Sequence, residues 1–391
     1  MNLAILKPEV QKYISDNLNQ EITKIILKGS TFKDVSIQEL ANQIIAKKKS
    51  EKKLPTWFNA KDIYFPPKIS IEQTSSEITA KYKSTIVKGD TIIDITGGFG
   101  VDCYYFSKLF KEVIHCELND ELSNIVDYNF NILNLKNIKT VAGNGIDYLK
   151  NTVEKIDCIY IDPSRRNDIK GKVFLLKDCL PQVPPKIDFL FSKADAILIK
   201  VSPILDITNT INDLKNVREV HIIAIKNEVK EVLFLLEKNY TDNPVIKTIN
   251  ILKGCEEIFS FNYSENFESE YKEPLHYLYE PNAAILKSGG FHQVNKQLPV
   301  FKLHQHSHLY TSKDLLKFPG RRFIIDKVIS YDKKKLKKLI PNNKANITTR
   351  NFPKTVSQIR KETQLKDGGE LYLFFTTDCN NNKIVIISKK A

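Results

Sequence analysis

One short run in this sequence carries residue types at a spacing that can do chemistry. TIIDITGGFGVD (91–102) reads Asp94-x-x-x-Gly98-x-Gly100. A strand that turns straight into a helix needs glycine here, because the backbone takes positive φ and a ligand must approach with no Cβ in the way. Position 103 is Cys, so the G-x-G-x-x-G of nicotinamide dehydrogenases is not met. An Asp four residues ahead of the glycines is the form that serves S-adenosylmethionine (SAM), with the carboxylate toward the methionine end. Glu117 ends the next apolar run and is placed to accept hydrogen bonds from both ribose hydroxyls. Asn144 and Asp147 of AGNGIDYL, after the third run, sit where an adenine-recognising acceptor belongs. Each piece alone is an ordinary turn or a solvated strand end; four of them in chain order at successive strand ends specify a nucleotide site.

The elements that must position these residues are legible as β-rich runs. TIIDI, EVIHCE, IKTVAG, DCIYID, AILIKV and VHIIAI are separated by helix-length segments, which predicts a parallel α/β sheet covered on both faces. Residues 1–55 carry helical periodicity and end in the basic run Lys47–Lys53. From 320 onward RRFIIDKVIS, KANITTR, ELYLFFTTD and KIVIISKK read as strands and DKKKLKKLI and KTVSQIRKETQ as helices, in the order β-α-β-α-β-β. The whole chain of 391 residues is 42% hydrophobic and 27% charged, a folding composition, and its net charge is +13. Residues 320–391 hold 17 Lys plus Arg against 6 Asp plus Glu, a net +11, so the anion-seeking surface belongs to the C-terminal module. The six cysteines form no C-x-x-C pair and are expected to be reduced and mostly buried. The opening MNLAILKPEV has no basic segment followed by an apolar core, and no stretch approaches the roughly 18 apolar residues of a membrane span, so a cytoplasmic protein with no membrane partner is expected.

With these runs in view, the sequence resembles the class I SAM-dependent methyltransferases that carry a C-terminal THUMP-like domain, a family expected to methylate RNA. The resemblance rests on FPPKISIEQTSSEITA (65–80), DITGGFGVD (94–102), DPSRR (162–166), IKVSPILDI (199–207), KNEVKEVLF (226–234), EPNAAILKSGG (280–290) and NFPKTVSQIRK with LKDGGELYLFFTT (351–377). It implies a doubly wound Rossmann-like methyltransferase sheet with an N-terminal helical segment and C-terminal ferredoxin-like and THUMP-like α+β modules. The expected boundaries are 1–55, 56–268, 269–318 and 319–391. It also implies that Gln73, Thr74 and Ser75 contact the SAM carboxylate; the plain alternative for this segment is a helix cap with Glu77 in the first turn.

The acceptor end is expected at Asp162-Pro163-Ser164-Arg165-Arg166, which closes the fourth strand, with Asp162 touching the cofactor as well. Amine methyltransferases use a related Asp/Asn-Pro-Pro-aromatic loop to grip an exocyclic NH2. Here Arg165 stands where the aromatic would be, and a guanidinium plane stacks on a base or holds a phosphate. A second arrangement is open: Asp162, Lys200 and Glu228, with Lys81 or Lys83, resemble the Lys-Asp-Lys-Glu set of ribose 2′-O-methyltransferases, in which a lysine of depressed pKa takes the hydroxyl proton. No cysteine lies in a motif beside this loop, which sets aside methylation at pyrimidine C5. His304, His306 and His308 alternate along an apparent strand, and a polar strand face is expected there rather than a metal site. Trp57 and Phe58 are expected to pack at the domain junction. The expectation as a whole is a SAM-dependent enzyme acting on structured RNA, rRNA or tRNA, at a base nitrogen. The alternatives are ribose methylation, a protein or small-molecule substrate, or a non-catalytic SAM-binding RNA factor.

Overall fold

The computed structural model describes residues 1–165, 175–265 and 267–391. They form two compact units, Met1–Arg218 with Leu233–Thr241 and Glu219–Val232 with Asp242–Ala391.

The first unit is built on parallel strands β1 (Thr91–Asp94), β2 (Glu112–Glu117), β3 (Ile138–Ala142), β4 (Ile156–Ile161) and the strand Ala194–Val201. Their spatial order is β3-β2-β1-β4 and then Ala194–Val201, every neighbour parallel. Ile92, Ile93, Val113, Ile114, Cys158, Ile159, Tyr160 and Ile161 are all buried, so the strands read as continuous apolar runs, as a sheet covered on both faces requires. The chain walks outward from β1 to β3 and then returns to the other side of β1. That reversal makes the carboxyl ends of β1 and β4 the topological switch point, the place where open α/β sheets bind ligands. Helix Ile37–Lys53 precedes the sheet and starts with a capping box, Ser36 accepting from Glu39 N–H while the Glu39 side chain reaches back. Trp57 is completely buried against Phe99 and Tyr104, with ring centroids 6.1 and 4.9 Å away, which makes it a packing residue as expected.

The second unit contains the strands Val245–Ile251 and Glu256–Asn262, which pair antiparallel, and a seven-stranded sheet. Val217–Ile225 and Glu228–Glu237 contribute residues to both units. The seven-stranded sheet runs in the order Phe301–Lys302, Tyr310–Ser312, Tyr277–Pro281, Gly320–Ser330, Lys383–Lys390, Tyr372–Thr377 and Asn346–Thr349. With helices Lys333–Leu339 and Val356–Thr363, its last four strands realise the expected β-α-β-α-β-β order. Leu336 and Ile359 anchor those helices in a core with Leu373, Phe375 and Val385. The lysines of Lys333–Leu339 surround a single buried leucine, which is why so basic a run still folds against the sheet.

One expectation is corrected. VFKLHQHSHLY is not a strand: only Phe301–Lys302 and Tyr310–Ser312 pair, and Leu303 N–H donates to Leu309 O at 3.0 Å to close a loop between them. His308 lies in that loop with φ 52° and stacks on Phe291, centroids 3.5 Å apart. His304 accepts from Asn351 Nδ2 at 3.0 Å instead. The three histidines therefore do not share a strand face. Cys103, Cys116, Cys158 and Cys179 are free and buried; Cys255 is exposed and Cys379 half-buried.

Candidate cofactor and acceptor site

The turn after β1 is held by its own backbone and by β2. Gly98 and Gly100 have φ of 55° and 75°, values that favour glycine, and a Cβ on Gly100 would lie 2.5 Å from the Phe130 ring. Glu117, at the carboxyl end of β2, reaches across: Oε2 accepts from Gly98 N–H at 2.8 Å and Oε1 from Asn119 N–H at 2.8 Å. An ionised carboxylate has about four acceptor positions. Two are occupied here, so the pair that remains can take two hydroxyl donors from a ligand on the glycine turn.

Asp94 ends β1 and is buried, 2% exposed. Its Oδ1 accepts from Thr96 N–H at 2.9 Å and from the Thr96 hydroxyl at 3.0 Å. Burial pushes its carboxyl up to about 7, against the two Thr96 hydrogen bonds and with the help of the charges on Asp102 and Asp162. The Thr96 hydroxyl also accepts from the Asp162 backbone N–H at 2.7 Å. The Asp162 side chain pairs with Lys200 at the end of the strand Ala194–Val201. Pro163 and Val201, next to these two residues in the chain, line a small pocket with Leu175, Cys179 and Ser202.

Below the turn lies a polar cluster in the core. Lys83, completely buried, holds Asp102 Oδ1 at 2.8 Å. Asp102 Oδ2 accepts from Ser75 Oγ at 2.8 Å and from Tyr160 OH at 3.1 Å, and Lys83 also contacts Ser75. Burial acts to raise the Asp102 carboxyl, but the Lys83 and Lys200 charges together with the hydrogen bonds from Lys83 and Ser75 hold it low. Ser76 caps helix Glu77–Ser84 by accepting from Thr79 N–H at 3.2 Å, and Glu77 accepts from Thr56 N–H, the Thr56 hydroxyl and Tyr105 OH. The capping alternative thus describes Ser76 and Glu77, while Ser75 is fixed to the helix that follows Gly100.

Asp94, Gly98, Gly100, Glu117, Asp162 and Lys200 all stand at the carboxyl ends of the strands in the first unit, and Ser75 is tied in through Asp102. Gln73 is exposed and Thr74 half-buried at the end of helix Lys68–Gln73. Asn144 caps helix Gly145–Asn151, accepting from Ile146 N–H at 2.9 Å, and Asp147 is exposed and paired with Lys150. Lys81 is exposed, Lys83 is engaged with Asp102, and Glu228 belongs to the second unit, where it pairs with Lys230 at 2.6 Å. Arg165 is placed by its backbone in a two-residue strand antiparallel to Cys179–Leu180; its side chain and Arg166 lie outside the described residues. Thr96, Asp102 and Tyr160 escaped the sequence reading. The signals were there: a hydroxyl between Asp94 and the glycines, an acid in the first helical turn, and one polar tip in an apolar strand. Among the described residues no group of His, Cys, Asp or Glu could hold a metal ion.

The strand order, the switch point and the glycine turn define a methyltransferase-type α/β domain, followed by a segment matching a ferredoxin-like domain over residues 277–319 and one matching a THUMP-like domain over 320–390. A crystal structure described as a "putative methyltransferase" from Porphyromonas gingivalis W83 is 32% identical and superposes with a TM-score of 0.90, over 99% of this chain and 98% of that one. The chain belongs to the family of that protein, methyltransferases with a THUMP-like C-terminal domain. TrmK of M. capricolum, solved with S-adenosylhomocysteine, is 16% identical over 42% of this chain and 70% of its own, with a TM-score of 0.32. No curated protein sequence matches the chain.

Proposed function

We propose that the first unit binds SAM and that the enzyme methylates structured RNA, rRNA or tRNA, at a base nitrogen in the cytoplasm, with the basic C-terminal module gripping the RNA. The observation that carries the reading is the Glu117 carboxylate, fastened by Gly98 and Asn119 with two acceptor positions left over, beside a glycine turn. The residues fit the cofactor: Glu117 would take the ribose diol, Asp94 would face the cationic methionine end, and Asn144 and Asp147 would serve the adenine. Gln73 and Thr74, with Ser75 behind them, would serve its carboxylate end. SAM supplies the methyl group as an electrophile. The chain's part is to hold the acceptor in line with it, and Asp162 is the group for that task. Its carboxylate accepts a proton-bearing amine of the base, while Thr96 ties its backbone to Asp94. Arg165 is proposed to hold the incoming base or its phosphate.

A second reading, transfer to a ribose 2′-OH, is favoured by the Asp162–Lys200 pair, since a lysine beside that carboxylate can relay a hydroxyl proton. Two further facts bear on the partner side. No helix among the described residues is long and apolar enough to cross a membrane. The net +11 of residues 320–391 suits a polyanion. The deciding experiment is transfer of labelled methyl from SAM into fractionated RNA and protein, followed by nucleoside mass spectrometry. Label in a base-methylated nucleoside is expected; label in protein only, or none, overturns the proposal.

A further inference from the structure

Strands Tyr277–Pro281 and Gly320–Ser330 run antiparallel with Glu280 opposite Arg321. Glu280 is buried, 3% exposed, and its two oxygens are divided between two arginines. Oε2 accepts from Arg321 Nε at 2.6 Å and Oε1 from Arg350 at 2.8 Å. Arg350 follows the strand Asn346–Thr349, and its own backbone N–H donates to Phe375 O at 2.9 Å, so the sheet sets its position. Glu280 comes from the ferredoxin-like segment and both arginines from the THUMP-like one, which makes this a site that neither segment owns alone.

The charges do not cancel. One carboxylate answers two guanidinium groups, and one positive charge is left over. The arrangement also has a direction: Arg321 and Arg350 keep 39% and 36% of their side-chain surface exposed, while the acid sits screened behind them. Each guanidinium presents five N–H donors in a planar fork, more than these contacts use. Arg321 lies over the Phe323 ring at 5.5 Å, which steadies its plane, and the buried Nε of Arg350 has no acceptor. An ion pair serving only to join two strands is complete with one arginine. A second one, sharing the same single acid and partly exposed, makes a seat for a tetrahedral oxyanion, because fork geometry matches phosphate oxygens in pairs.

We propose that Glu280, Arg321 and Arg350 form a clamp for a backbone phosphate of the RNA, an inference that rests on the RNA reading above. The acid sets the two forks, and the forks take the phosphodiester; the contact positions the RNA and reads no sequence.

The test is a titration of a fluorescein-labelled RNA hairpin with the full-length protein at salt between about 50 and 200 mM. E280Q/R350Q removes one charge of each sign, keeps the net charge, and leaves no unpaired buried carboxylate. It is expected to bind about tenfold more weakly, with a log-log salt slope shallower by about one contact, and to melt within a few degrees of the wild type. If that variant does not fold, R321K and R350K carry the test: they keep the charge but lose the fork, and each is expected to weaken binding with little change in slope. Variants that bind as the wild type does show a purely structural ion pair and overturn the clamp while leaving the RNA reading intact. No binding of RNA by the wild type overturns the RNA reading itself.

Discussion

The Thr96 hydroxyl accepts a hydrogen bond from the Asp162 backbone N–H at 2.7 Å, joining the end of β1 to the end of β4 across the switch point. The same hydroxyl donates to Asp94 at 3.0 Å. One side chain therefore links Asp94, proposed to face the cofactor, to Asp162, proposed to face the acceptor. Thr96→Val keeps the shape and removes the link. It leaves an N–H without its partner, costing about 1 to 3 kcal/mol where that group is desolvated. Because an in-line displacement loses up to about a hundredfold for small misplacements, kcat should fall much more than SAM affinity. Single-turnover methyl transfer beside calorimetry with SAM measures both, and equal losses in the two would show that Thr96 merely supports the cofactor.

Glu117 makes a separate prediction. If Glu117 holds the ribose as proposed, Glu117→Ala removes the charged acceptor of its hydroxyls and frees the Gly98 N–H, so SAM should bind roughly 1.5 to 3 kcal/mol more weakly, tenfold or more. Calorimetry decides it: unchanged affinity would remove this residue from the site.

Asp94 ties affinity to pH. Its carboxyl titrates at about 7 because it is buried, with the Asp102 and Asp162 charges nearby. A ligand with a cationic methionine end is attracted only by the ionised form, so SAM affinity should rise as pH increases from about 6 to 8, and Asp94→Asn should flatten that rise. Stability moves the opposite way. The folded carboxyl holds its proton more tightly than the unfolded one, so its contribution is fully present below about 4, the unfolded value, and is lost as pH rises through 7. The wild-type Tm, measured without SAM, should therefore decline between pH 5 and 8 relative to that of Asp94→Asn. Parallel curves would contradict the buried titration.

Much of this was legible because β-branched runs such as TIIDI and DCIYID have no other stable home than a covered sheet, and because Gly98 and Gly100 mark a turn that only glycine favours. The misreading of VFKLHQHSHLY has a physical reason. Its alternation mimics a strand, but Ser307 donates to Thr377 O, and Thr376 donates to Ser307; these contacts to a distant strand hold the segment as a loop. The turn before Glu228 was similarly hidden, since Lys226 and Asn227 both take positive φ, 51° and 65°, without a glycine to announce it. The Lys83–Asp102 pair joins two helices on either side of β1, and no spacing rule brings those residues together.

That pair carries its own prediction. Lys83→Met leaves Asp102 charged and buried beside Ser75 and Tyr160 with its nearest cation gone, and should destabilise the protein by about 3 to 5 kcal/mol. Adding Asp102→Asn removes the stranded charge and should recover a large part of the loss. Denaturant unfolding of the wild type, both single variants and the double variant gives the coupling; an additive outcome would mean that the buried pair does not act as a unit.

The last prediction separates the two acceptor chemistries. Asp162 and Lys200 are paired at neighbouring strand ends, so each variant tests a different proton route. If the acceptor is a base nitrogen, Asp162→Ala loses the grip on the amine and kcat falls about a hundredfold with SAM binding nearly preserved, whereas Lys200→Met costs much less, because no hydroxyl proton has to be removed. If the acceptor is the ribose 2′-OH, Lys200→Met abolishes transfer as completely as Asp162→Ala does, and the product is a 2′-O-methyl nucleoside. Glu228→Ala should be silent in the first case. Its carboxylate is 74% exposed and paired with Lys230, so a loss of activity in that variant would argue for the four-residue proton-relay arrangement. Full activity in Asp162→Ala would exclude this strand end as the acceptor site altogether.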